Sequence, residues 1–278
     1  MSAPIFAGDP AYPELISDLG EEAPGCIFVR GPSWSPAPRA VGIVGSRRAS
    51  EAGRRWAYDL GVALAESGVA VVSGGALGID GAAHAGALAG RGRTLVVLPS
   101  PVDDPVPRSH RGLFEEVLEK GGTLMSELDV LTPGDRTPFM RRNRIIAALS
   151  VVVVVVEASA RSGTRYTIEA ALRLRRGLLG KAWPASDPRG AGLRERVQQR
   201  VETVDEVISF VLEGPAEAPP DVDDDPLWAA LEQPRTSDEL ARILALEGDA
   251  MTTLLFHAEM EGRAERVGGR WRRGARRR

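Results

Sequence analysis

Among its 278 residues the chain has a single cysteine, Cys26, and only two lysines, Lys120 and Lys181. One thiol closes no disulfide within the chain, and it excludes a cysteine-rich zinc site. Aromatic residues are scarce, at 5%. The longest apolar run, Val151–Val156, falls far short of the roughly 20 residues that a helix needs to span a bilayer. Met1-Ser2-Ala3-Pro4 shows no basic region leading into an apolar stretch, so no signal peptide is read there. These absences predict a cytoplasmic, reduced protein without membrane contact. A strong net charge is also missing, at −3. No global field draws polyanions to this chain, and a nucleic-acid site would have to be a local basic patch. With lysine nearly absent, arginine carries the positive charge. Its planar fork binds phosphate and stacks on bases, although a GC-rich genome would produce the same bias.

What is present is a hydrophobic content of 43%, enough for one α/β domain of about 200 residues plus a small module. Residues 1–38 are rich in proline and glycine and read as an irregular arm. From residue 39 to 212 apolar strands alternate with amphipathic helices. Strands are predicted at Ala40–Val44, Val69–Ser73, Thr94–Leu98, Thr123–Met125, Val151–Val156 and, as the last, Leu178–Trp183. Helices are predicted at Ser50–Gly68, Ile79–Leu88, Leu113–Lys120, Met140–Leu149, Tyr166–Arg176 and Thr203–Leu212. The all-valine strand shows no polar alternation, which marks a central parallel strand buried on both faces. The predicted fold class is α/β, a Rossmann-like, doubly wound, mostly parallel sheet. Residues 213–225 hold six acids, three prolines and no base, the composition of a solvated linker. Residues 226–278 predict three helices, one of them capped by Thr236, then a hairpin around Gly268-Gly269. That order suggests a small winged-helix domain with a basic tail.

Four constellations fall at predicted strand ends. Gly42-Ile43-Val44-Gly45-Ser46-Arg47 places small residues, a hydroxyl and a guanidinium where an anion can approach the backbone. Ser73-Gly74-Gly75-Ala76-Leu77-Gly78-Ile79-Asp80 forms a glycine-rich nest. Asp80 and His84 there read either as an acid–base pair or as a helix cap with an internal hydrogen bond. Phe139 is followed by Arg141, Arg142, Asn143 and Arg144 at the start of an otherwise apolar helix, joining a stacking face to a helix N-terminus that favours anions. Ser162-Gly163-Thr164 lies beyond the valine strand. Ligands of open parallel sheets sit outside the carboxyl ends of the strands, so the four can converge on one site. No metal set or cofactor fingerprint accompanies them. The chain's end is a fifth basic element, with eight arginines in residues 262–278.

The stretches DPAYPELISDL, VGIVGSRRAS, VSGGALGIDGAAHAGAL, FMRRNRIIAALS and VVVVEASARSGT resemble, in order, those of the DNA-processing protein A (DprA/Smf) family. The resemblance covers residues 9–183. It implies a Rossmann-like domain that binds single-stranded DNA without sequence preference, works as a homodimer in natural transformation, and loads the RecA recombinase, with no cofactor and no catalysis. Carried over residue by residue, the DNA pocket would use Gly45, Ser46, Arg47, Arg136, Phe139, Arg141, Asn143 and Arg144, with Ser162, Gly163 and Thr164 across the groove and Ser73, Gly74 and Gly75 shaping its floor. The sequence departs from the family at Val106–His110, at Thr164–Ile168 and at Pro184-Ala185. A nucleotide sensor, or a phosphoribohydrolase-like enzyme on the same fold, is the alternative.

Overall fold

A computed structural model describes residues 3–34, 38–130, 137–159, 162–184, 186–191, 193 and 196–213. In the C-terminal part it describes residues 227, 230–244, 246, 251, 254, 255, 258 and 264–273. The chain divides into two compact units, Met1–Leu212 and Glu213–Arg278.

The first unit is a nine-stranded sheet. Its strands in chain order are β1 (Pro4–Phe6), β2 (Cys26–Arg30), β3 (Ala40–Val44), β4 (Ala70–Ser73), β5 (Thr94–Val97), β6 (Thr123–Ser126), β7 (Val152–Val155), β8 (Gly177–Lys181) and β9 (Gln199–Val201). They lie side by side as β1-β2-β6-β5-β4-β3-β7-β8-β9. The strands from β6 to β9 in this order are parallel, whereas β2 runs antiparallel to β6, and β1 to β2. The valine strand is central, as expected. Val153 and Val155 enter the core on one face, and Val152, Val154 and Val156 that on the other.

Among the described residues six α-helices cover this sheet: α1 (Glu51–Glu66), α2 (Ile79–Ala89), α3 (Arg111–Glu119), α4 (Thr137–Ala148), α5 (Arg165–Arg173) and α6 (Val204–Glu213). Helices α1, α2 and α6 bury Leu60, Leu64, Ile79, Ala83, Val207 and Val211 on one face. Helices α4 and α5 bury Ile145, Ile146, Ile168 and Ala171 on the other. Two of these helices are capped at their starts by side chains. The Ser50 hydroxyl accepts from the Gly53 amide at 3.0 Å. Thr203 and Glu206 exchange backbone amides at 3.2 and 3.3 Å, a reciprocal cap.

Two expectations are corrected. The proline-rich start is not an irregular arm throughout, because β1 and β2 extend the sheet beyond β6 and a 3-10 segment, Glu14–Glu22, packs Ile16 and Leu19 into the core. The short apolar run Cys26–Val29 is enough, since a strand edge supplies its hydrogen bonds. The last strand is β9, not Leu178–Trp183. Gln199-Arg200-Val201 buries only Val201 and so leaves no hydrophobic pattern to read.

In the second unit, Ser237–Leu244 forms α7, and Ala264–Val267 (β10) pairs antiparallel with Arg270–Arg273 (β11) around Gly268-Gly269. Thr236 Oγ1 accepts from the Glu239 amide at 3.3 Å, the expected cap, and Glu239 returns it by accepting from the Thr236 amide at 2.8 Å. Leu227, Leu231, Leu240, Leu255 and Trp271 make a small core. Of the linker expected at 213–225, Glu213 ends α6, and residues 214–225, much of the expected helix 251–261 and the tail 274–278 lie outside the described residues.

Candidate functional site

The loops after β3, β4 and β7 and the start of α4 enclose a cleft of about 700 Å³. It sits at the topological switch point. After β3 the chain builds the sheet outward through β6, then returns to place β7 on the other side of β3. Helices α1 and α5 leave from the two adjoining strands toward opposite faces, which opens a crevice between their loops.

The β3–α1 turn brings Gly45, Ser46, Arg47 and Arg48 to the cleft; α4 brings Phe139, Arg142, Asn143 and Ile146; the β7–α5 turn brings Ser162, Gly163 and Thr164. Arg47 is exposed, and its guanidinium lies over the Phe139 ring, 5.1 Å from the centroid. Ser46 Oγ accepts from the Arg48 amide at 3.1 Å, which fixes the turn. Asn143 Nδ2 donates to the Gly163 carbonyl at 3.4 Å and ties α4 to the opposite wall. Ser162 Oγ accepts from the Thr164 amide at 3.2 Å. Glu157, just past β7, takes the Ser50 amide at 3.1 Å and its hydroxyl, joining that wall to α1. Gly45, Ser46, Arg47, Phe139, Asn143, Ser162, Gly163 and Thr164 thus line one cleft.

Arg142 belongs to this wall and was missing from the expected pocket. It is buried, its Nη1 donates to the Val97 carbonyl, and its Nε donates to Asn143 Oδ1 at 3.1 Å. Burial lowers its pKa to about 10, against the pull of Asp80, so it stays charged at neutral pH. Gly74 makes room for it: a Cβ there would collide with the guanidinium. Helical periodicity held the missing signal. Positions 139, 142, 143 and 146 follow i, i+3, i+4, i+7 and form one stripe, which includes Arg142 and omits Arg141 and Arg144.

The other expected residues stand elsewhere. Arg144 does not reach the cleft. It is buried, and its Nη1 and Nη2 each meet a Glu127 carboxylate oxygen at 2.8 Å, while Nε donates to the Glu22 carbonyl at 2.8 Å. Arg141, largely exposed, lies 3.8 Å from the same carboxylate. Both line a separate pocket with Phe6, Cys26 and Leu128. Ser73, Gly74 and Gly75 are buried behind the cleft, with Ser73 Oγ donating to the Ile43 carbonyl. Arg136 lies outside the described residues.

Asp80 and His84 do not pair. The Asp80 carboxylate accepts from the Ala76 amide at 3.3 Å and so braces the loop before α2 rather than capping the helix. Burial raises its pKa, opposed by Arg142 and the loop amides. His84, fully buried, turns its Nδ1 to Thr94 Oγ1 at 2.7 Å. Burial, with His110 and Arg142 nearby, pushes its pKa down to about 3 and keeps it neutral.

The fold and the cleft together define a doubly wound α/β protein with a cationic, partly aromatic crevice at its switch point. Residues 3–213 match the family model described as DNA recombination-mediator protein A. The chain belongs to that family. A Mycobacterium tuberculosis protein described as DNA processing protein DprA is 40% identical over 178 residues, 63% of this chain and 46% of its own length. The Smf protein of Escherichia coli is 37% identical over 187 residues, 67% of this chain and 50% of its own. The chain therefore spans about half the length of these curated relatives. Among solved structures, DNA processing protein A of Streptococcus pneumoniae superposes with a TM-score of 0.66 at 29% identity, over 75% of this chain and 74% of that one. The Helicobacter pylori protein, whose structure concerns a single-stranded DNA binding mode, shares the fold with a TM-score of 0.67 at 24% identity, over 77% and 96% of the two chains.

Proposed function

We propose that the cleft binds single-stranded DNA without reading its sequence. Arginines at the mouth hold phosphates, and a base lies against Phe139. The observation that carries this reading is the Arg47 guanidinium over the Phe139 ring at 5.1 Å, facing the Ser162–Thr164 turn across the cleft. Around it, among the described residues, Arg47, Arg48 and Arg142 outnumber the one lining carboxylate, Asp80, so this part of the crevice is locally cationic in a chain of net charge −3. Cations beside an aromatic face suit a flexible strand with exposed bases. A duplex hides its base faces in the stack.

In the cell we infer a cytoplasmic recombination mediator in DNA uptake and homologous recombination, a homodimer that hands strands to the RecA recombinase. The second unit is read as a winged helix. These roles rest on family membership.

The test is fluorescence anisotropy with labelled oligo-dT, duplex DNA and a salt series. Oligo-dT is expected to bind tighter than duplex, with affinity falling steeply as salt rises. Arg47→Ala should weaken binding and flatten the salt slope by about 0.7, one phosphate contact. Unchanged affinity in this variant removes the cleft from the account. Displacement of oligo-dT by mononucleotides at comparable concentration would instead make the cleft a nucleotide sensor.

A further inference from the structure

A second gathering of aromatic and basic side chains stands on the same rim of the sheet, beyond the cleft. Lys181 ends β8, and its ammonium lies 5.2 Å from the Trp56 ring centroid and 4.9 Å from that of Trp183. Arg189 lies over Trp183 at 4.1 Å. The two indoles come from opposite faces of the sheet, Trp56 against the α1–α2 core and Trp183 against the α4–α5 core. Each is pinned by its Nε1–H, Trp183 to the Val156 carbonyl at 2.7 Å and Trp56 to that of Glu202 at 3.2 Å. Both rings remain partly exposed. Two of the chain's five tryptophans meet here, a high local density where aromatics are scarce.

The cluster is continuous with the cleft. Arg189 Nη1 donates to Ser50 Oγ at 3.1 Å, and Ser50 closes the loop whose Arg47 and Arg48 line the cleft. The Arg189 carbonyl accepts from the Ala158 amide at 2.9 Å, on the segment leading to Ser162. Its two cations stand among three carboxylates: Asp187 grips Arg189, Glu157 stands near Arg189, and Glu202 near Lys181. Such a surface captures no polyanion alone, so it acts as an extension of a cationic site.

We infer that this shelf takes the nucleotides adjoining those in the cleft. Trp56 stacks a base, while Lys181 and Arg189, carried on Trp183, meet phosphates. The inference rests on the reading of the cleft as a single-strand site.

The experiment pairs anisotropy with intrinsic tryptophan fluorescence, using oligo-dT from about 4 to about 16 nucleotides, the range of single-strand site sizes. No tryptophan is among the described residues lining the cleft, so quenching reports the shelf. Longer oligonucleotides are expected to quench the emission and bind tighter than the shortest. Trp56→Phe should keep the affinity and lose most of the quench. Trp56→Ala should weaken long strands about fivefold or more and leave the shortest unaffected. Anisotropy-detected binding without quenching, or quenching that survives Trp56→Phe, overturns the shelf and leaves the cleft reading intact. No binding at any length overturns both.

Discussion

Replacing Arg144 by alanine should destabilise the protein while leaving its affinity for single-stranded DNA unchanged. The side chains of Arg144 and Glu127 are 10% and 9% exposed, and two parallel N–H···O contacts of 2.8 Å join them. Removing one partner strands the other charge in a poorly solvated site, which costs about 3–5 kcal/mol. Arg141, 3.8 Å from Glu127, can swing in and soften the loss, so the lower end, about 3 kcal/mol, is expected. For a folding unit the size of Met1–Leu212, each kcal/mol moves Tm by roughly 2–4 °C, giving a drop of about 6–12 °C. Urea titration measures the free energy, and anisotropy with oligo-dT below the transition measures binding. The double variant Arg144→Met with Glu127→Met should recover much of the stability, because an apolar pair of similar volume needs no charge compensation. A variant that keeps its Tm but binds DNA weakly would refute the assignment of Arg144 to the scaffold.

Phe139→Ala should weaken oligo-dT binding by about 1–3 kcal/mol, the value of one stacked base, and Phe139→Trp should retain it; anisotropy separates the two. Gly74→Ala should displace the Arg142 guanidinium and destabilise the fold by about 1–3 kcal/mol, read as a lower urea midpoint together with weaker DNA binding. His84 makes stability fall in acid. Its folded pKa, about 3, lies below the unfolded 6.5, so the unfolded state binds the extra proton between these values. This group should therefore remove about 1.4 kcal/mol per pH unit as pH drops below 6.5, levelling near 3. Urea unfolding of wild type and His84→Gln across pH 4.5–6.5 isolates the slope, and parallel curves would exclude His84 as its source.

Regular elements were legible where one local rule decided them. The Val151–Val156 run admits only a strand buried on both faces, and Ser50 and Thr203 cap the helices they precede. Elements that depend on a neighbour's edge were not. Cys26–Arg30 and Gln199–Val201 become strands because β6 and β8 offer unpaired backbone groups, information that lies nearly a hundred and about twenty residues away in the chain. At the site, strand-end motifs led to the rim of the sheet that holds the cleft, but charge alone did not sort the residues of α4. Arg141, Arg142 and Arg144 look alike as residues. Only the rotation of the helix, anchored at Phe139, sorts the one facing the cleft from the two facing Glu127. Asp80 and His84 sit one turn apart, yet the Ala76 loop amide and Thr94 compete successfully for them.

Both borders of the nine-stranded sheet end in strands of only three residues, Pro4–Phe6 and Gln199–Val201. Such short margins, one opening on a proline that has no amide hydrogen, present few free ladder groups to a foreign strand. Recruitment of another polypeptide by edge-to-edge annealing is thereby discouraged, and any self-association of this unit is directed to its helical and loop surfaces.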